Sequence, residues 1–103
     1  MITYDIDIDF RIISTISTSS KLSTNHSELR ASAHSAPNIL DKHLENLQAW
    51  GLIQDKKPSS NGLPRKITLL EPYDYCLSQL TELKTAIDKV NYFFGQTALN
   101  KNE

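Results

Sequence analysis

The sequence predicts a mainly α, α+β fold: three helices and a β-hairpin, followed by a long C-terminal helix. Three observations carry this. Leu40, Leu44 and Leu47 fall four and three residues apart ahead of Gly51, which marks one apolar helix face and its stop. Asn61-Gly62 lies between two short runs with strand character, the pair that a tight hairpin turn favours. Tyr73, Cys76, Leu80, Leu83, Ile87, Val90 and Phe94 follow at spacings of 3, 4, 3, 4, 3 and 4, an unbroken heptad seam.

The elements follow in order. Ile2, Tyr4, Ile6, Ile8 and Phe10 alternate like a strand, but Ile6, Phe10, Ile13 and Ile16, with Ile12 beside them, come close to helical spacing. The expectation is a helix from about Asp5 to Thr18, with Asp5, Asp7 and Asp9 at the positive end of its dipole. Residues 17–24 read as a connection, with Leu22 in a very short strand. Asn25-His26-Ser27-Glu28 forms a capping box, Asn25 accepting from first-turn N–H groups and Glu28 reaching back. It opens a helix over His26–Ala33, with Leu29 and Ala33 inward. His34-Ser35 is a tight break; Ser35 caps the next helix, Ala36–Trp50, where Pro37 fits the first turn. A strand begins at Leu52, the turn spans Pro58 to Pro64, and Arg65–Leu70 returns with Ile67 and Leu69 inward. The last helix is expected from Tyr73 to Phe94, ended by Gly95. The domains are then 1–72, a compact unit; 73–95, a coiled-coil dimerisation helix; and 96–103, a flexible tail.

A chain of 103 residues supports one modest core and excludes a two-domain enzyme with a deep cleft. No apolar run is long enough to span a membrane, the N-terminus is acidic where a secretory signal is basic, and the single cysteine forms no internal disulfide. A reducing, cytoplasmic location is expected. The Asn25-His26-Ser27 sequon is given no role without an export signal. The charge is uneven. Residues 21–70 carry seven bases against four acids, a net of +3, while residues 1–20 and 71–103 each carry a net of −2.

Glu28-Leu29-Arg30-Ala31, the His34-Ser35 turn, and the run from Ile39 to Ile53 with its apolar-x-x-x-Leu-x-x-Leu helix and Gly51-Leu52-Ile53 exit resemble a winged helix-turn-helix DNA-binding domain. The resemblance spans about residues 7–72. With the appended heptad helix it is closest to small archaeal winged-helix proteins that pair through a C-terminal coiled coil, and more distant from MarR- and PadR-type regulators. It implies a dimeric transcriptional regulator that reads double-stranded DNA, without catalysis or cofactor. Two features depart from the pattern. Thr68-Leu69-Leu70-Glu71 lacks the glycine of a Thr-x-x-Gly entry to the last helix, and Asp41 and Glu45 make the recognition helix less basic than usual.

On that reading the 36–50 helix enters the major groove. Its outward residues are Ser35, Pro37, Asn38, Asp41 and Lys42. Asn38 suits adenine, Lys42 guanine or a phosphate, and Asp41 the cytosine amino group. Asn25, His26, Ser27 and Arg30 face the phosphate backbone, and the wing over 54–66 adds Lys56, Lys57, Arg65 and Lys66 on the backbone or in the minor groove. Plainer readings stand beside these: lysines that only guard strand edges, and Asn38 and Lys42 as ordinary helix surface. Trp50 reads as a packing residue.

Tyr73, Cys76, Leu80, Leu83, Ile87, Val90 and Phe94 form the expected homodimer seam. Burying one such side chain yields about 1.5–3 kcal/mol, so five of them outweigh an association cost of about 4–15 kcal/mol. Leu77, off the seam, suggests that the start of the helix folds back onto the domain. A two-fold dimer predicts half-sites about one DNA turn apart. The alternative is a winged-helix interaction module that meets a protein partner through the heptad helix. His26, His34 and His43 match no zinc spacing, and Cys76 reads as a small apolar seam residue rather than a nucleophile.

Overall fold

A computed structural model describes residues 3–56 and 65–101. The elements are α1 (Ile6–Thr18), a 3-10 turn (Ser20–Leu22), β1 (Ser23–Thr24), α2 (His26–Ala33), α3 (Pro37–Ala49), β2 (Ile53–Lys56), β3 (Lys66–Leu69) and α4 (Tyr73–Lys101). The Pro58–Pro64 turn with Asn61-Gly62, and Lys57, lie outside the described residues. The sheet has the order β1-β3-β2 with both pairings antiparallel. Ser23–Thr24 thereby takes the short-strand place expected for Leu22, which sits in the preceding turn.

One core joins the four helices to β2 and β3. Ile6, Ile8, Ile12, Ile13 and Ile16 of α1 meet Leu29 and Ala33 of α2 and Leu40, Leu44 and Leu47 of α3; Leu52, Ile53, Ile67 and Leu69 close it from the sheet, and Cys76 and Leu80 from α4. Asp5 caps α1 by accepting from the Asp7 N–H (3.1 Å), as an N-cap carboxylate should. The inward face of α1 differs from the expected one. Phe10 is only partly buried, whereas Ile8 and Asp9 are buried. Asp9 therefore does not serve as an exposed dipole-stabilising carboxylate; it belongs to the core.

The capping box is half as expected. Asn25 accepts from the Glu28 N–H at 2.9 Å, but the Glu28 carboxylate takes a hydrogen bond from the Thr24 hydroxyl. His34 ends α2 in the left-handed region (φ 51°), which makes the tight break. Ser35 is not the cap of α3. Ala36 holds that position without a side-chain bond, and Pro37 at the first helical position needs no N–H partner. Gly51 has φ +78°, and the Leu52 N–H returns to the Leu47 carbonyl (3.1 Å), closing α3 as its spacing predicts.

α4 begins at Tyr73 but continues through Gly95 to Lys101. Gly95 stops nothing because it lacks the positive φ that a terminating glycine adopts. No helix among the described residues is long and apolar enough to cross a membrane.

Candidate nucleic-acid interface

The buried side of α3 is set by Leu40, His43, Leu44 and Leu47. At about 100° per residue the opposite side is Asn38, Lys42, Glu45 and Ala49, and all four are exposed. Asn38 and Lys42 thus fall on the outermost stripe, as expected. Glu45 joins them, a residue that the outward list omitted. Its offsets of seven from Asn38 and three from Lys42 were legible as the same face. Pro37 is exposed at the helix entry, while Ser35 is half-buried, with its hydroxyl near the Ala36 carbonyl (3.4 Å).

Asp41 lies on the flank of α3 beside the sheet, 42% exposed, and its Oδ1 is already engaged. His26 Nε2 donates to its Oδ1 at 2.9 Å, and Arg65 Nη1 donates to the same oxygen at 2.9 Å. Burial, the largest single effect, pushes this carboxyl up, but the hydrogen bonds and charges of Arg65 and His26 together outweigh it and hold it below the usual range. Arg65 is likewise not a free wing cation. Its Nε donates to Asp55 Oδ1 at 2.7 Å and its Nη2 to Asp55 Oδ2, a bidentate fork, with Asp41 as third partner. Asp55 first and Asp41 second raise the guanidinium's proton affinity further. The Asp55 N–H is held in turn by Gln48 Oε1 of α3 (2.9 Å).

The remaining predicted residues gather in two grooves and on the wing. Ser27, Arg30 and Ser35 share an open groove of about 470 Å³ with Ala31 and His34. Asn25, Arg65 and Lys66 line another of about 340 Å³ with Ser23, Thr24 and Glu28. Asn25 is committed to its cap, so its side-chain oxygen is already engaged. On the wing, Ile53 and Asp55 of β2 stand opposite Leu69 and Ile67, whereas Gln54 and Lys56 stand opposite Thr68 and Lys66. Strand alternation puts Asp55 on the inner face beside Arg65 and the two lysines on the outer one. Lys56 and Lys66 are exposed and directly across from each other. A like-charge pair in that register is unfavourable by about 0.2–1 kcal/mol.

Behind the outer stripe, the inner side of α3 holds a polar pair. His43 Nδ1 and Asp9 Oδ1 are 3.2 Å apart, Asp9 is 0% exposed, and its Oδ2 has no hydrogen-bond partner. The Tyr4 ring lies on His43 with centroids 4.6 Å apart and meets Trp50 edge-on. Burial raises the Asp9 carboxyl to about 6, against the downward pull of Tyr4 and His43. Burial and Asp9 together raise the Tyr4 phenol. Trp50 packs at the helix end as expected, though it stays 45% exposed.

The heptad seam divides. Cys76 and Leu80 are buried in the chain's own core and Leu83 packs against it, so these three are corrected from dimer contacts to intramolecular ones. Tyr73 is turned to α1, its hydroxyl 3.4 Å from that of Ser14. Burial pushes the Cys76 thiol up, and its Sγ faces the Glu71 carbonyl, which suits packing rather than nucleophilic chemistry. Ile87, Val90 and Phe94 continue the same stripe beyond the domain, Ile87 half-buried and the other two exposed. A cleft of about 440 Å³ opens between Trp50 and Leu52 on one side and Gln79, Leu80, Glu82 and Leu83 on the other. Among the described residues no group of three or more His, Cys, Asp or Glu could hold a metal ion.

No family model and no curated protein matches this chain. Among solved structures, it is similar to a transcriptional regulator homologue protein from Pyrococcus horikoshii OT3. The TM-score is 0.56 at 20% identity, over 82% of this chain and 83% of that one. The fold is α+β, mainly helical, of the winged-helix kind.

Proposed function

We propose, from that fold and from the charges it displays, that this chain is a dimeric double-stranded DNA-binding protein with sequence preference, acting as a transcriptional regulator and without a catalytic step. The observation that carries the proposal is the Lys56–Lys66 pair: two like charges held opposite each other on the wing, near an α3 whose outer stripe is bare. Their repulsion in the free protein is relieved by a phosphate between or beside them. In this reading Asn38, Lys42 and Glu45 face base edges in the major groove. Ser27, Arg30, Ser35 and Pro37 meet the backbone of one strand, and Lys56 and Lys66 meet the backbone or minor groove farther along. Asn25, Asp41 and Arg65 shape the surface rather than touch DNA. The stripe of Ile87, Val90 and Phe94 pairs with the same stripe of a second copy, which removes exposed apolar surface from water.

The test is fluorescence anisotropy with duplex DNA across a salt series, together with sedimentation of the protein. Arg30, Lys42, Lys56 and Lys66 supply four cations per protomer. They predict a log–log slope of about −3.6 per protomer, a loss of about 150-fold between 50 and 200 mM salt. Undetectable binding at 50 mM salt, or binding indifferent to salt, overturns the proposal. A monomeric chain without DNA affinity favours the second reading, a winged-helix module that covers its bare α4 stripe with a protein partner. The acidic Asp41 and Glu45 on α3 lend that reading its support.

A further inference from the structure

We infer that Asp41, Arg65 and Asp55 form a clamp that fixes the angle of the wing to α3, and that Arg65 serves DNA reading as a positioning residue rather than as a phosphate contact. The inference rests on the DNA-binding reading above. Its geometry involves two separate ties. The first runs from Asp41 on α3 to Arg65 Nη1 and through the guanidinium fork to Asp55 on β2. The second runs from Gln48 Oε1 on α3 to the Asp55 N–H. Asp41 and Gln48 are seven residues apart on one flank, about 10 Å along the helix axis. One tie would leave a hinge; two at that separation fix an angle. His26, on the first turn of α2, adds that helix to the same carboxylate. α2, α3 and the wing are thus joined through Asp41, the Arg65 guanidinium and Asp55. A lysine cannot reproduce this, because it lacks the planar fork.

The charges make the inference testable by sign. The clamp carries two carboxylates and one guanidinium, so it repels a polyanion on balance. By charge alone, Asp55→Asn should tighten binding to every duplex. A clamp predicts the opposite for a preferred sequence, since α3 and the wing must span the groove in fixed register. The experiment selects a duplex from a random pool with the wild-type protein. Its affinity is then compared with that of a scrambled duplex for wild type, Asp55→Asn, Arg65→Lys and Gln48→Ala. In Arg65→Lys the formal charge and the salt slope stay constant, while preference for the selected duplex falls by about tenfold, the value of one well-placed base contact. Asp55→Asn loses preference too, even where its affinity for the scrambled duplex rises. Gln48→Ala removes an exposed side chain and one tie only, so it keeps the fold and shows a smaller loss of the same kind. Unchanged preference in Gln48→Ala and Arg65→Lys overturns the clamp and leaves the DNA-binding reading intact. A wild-type protein that enriches no sequence overturns both.

Discussion

Replacing Asp9 by asparagine should flatten the pH dependence of stability. Asp9 is fully buried, with one oxygen facing His43 Nδ1 and the other without a partner. Tyr4 lies over the same pair, and the charge of Asp5 pushes the Asp9 carboxyl in the same upward direction as burial. The folded protein therefore holds the Asp9 proton more tightly than the unfolded chain, the carboxyl moving from 3.8 to about 6. Protonation then stabilises the fold. The contribution is complete below pH 3.8 and is lost as pH rises through about 6. At about 1.4 kcal/mol per pKa unit, the loss amounts to about 3 kcal/mol. Asparagine has nearly the same shape and never ionises. Its stability relative to wild type should rise by about 2.4 kcal/mol between pH 4 and pH 7, whatever the fixed cost of its amide. Urea unfolding followed by far-UV circular dichroism at pH 4, 5, 6 and 7 measures this, provided the m-values agree. Parallel pH profiles for the two proteins would refute the reasoning, since Asp9 would then ionise as freely inside the fold as outside it.

Further outcomes are expected. Leu44→Ala, at a fully buried position of α3, should lower stability by about 2–5 kcal/mol in urea unfolding. Gly51, just past α3, and Gly95, inside α4, should answer in opposite directions. Gly51→Ala should destabilise by about 1 kcal/mol, because φ is +78° while the added methyl meets nothing. Gly95→Ala should stabilise by a similar amount, because it lies inside α4 in open space. Changing Lys56 and Lys66 together to alanine should reduce the salt slope of DNA binding by about 2 and slightly raise stability, as cross-strand repulsion disappears. Val90→Glu should shift the sedimentation equilibrium toward monomer with helix content unchanged, since Val90 lies on the stripe beyond the core.

Much of the fold was legible because local signals and burial agree. The α3 leucines, Gly51 and the Asn25 cap each state a local rule that packing then obeys. The failures occur where a tertiary partner decides. Asp9 resembles Asp5 and Asp7 in sequence, and its contact with His43, thirty-four residues away, is invisible in the local pattern. The start of the last helix packs on the domain, as off-seam Leu77 suggests, but the seam residues Cys76, Leu80 and Leu83 turn inward with it, because an apolar stripe does not say what covers it. Gly95 has the composition of a stop without the backbone of one. At the candidate interface, Arg65 and Lys66 read alike as wing cations. The distinction lies in strand phase and in Asp55 and Asp41, which a list of basic residues does not weigh.

The Asp9–His43 pair has one more consequence. A helix seated on leucines alone can roll in its bed, because methyl groups slide past one another with little penalty. A polar contact in the interior is directional and makes such rolling costly. His43 is adjacent to Lys42, so the azimuth that keeps the imidazole on Asp9 also sets where the ammonium points. The pair works as a key cut into the inner side of a cylinder, and it sets the bearing of whatever the outer side presents.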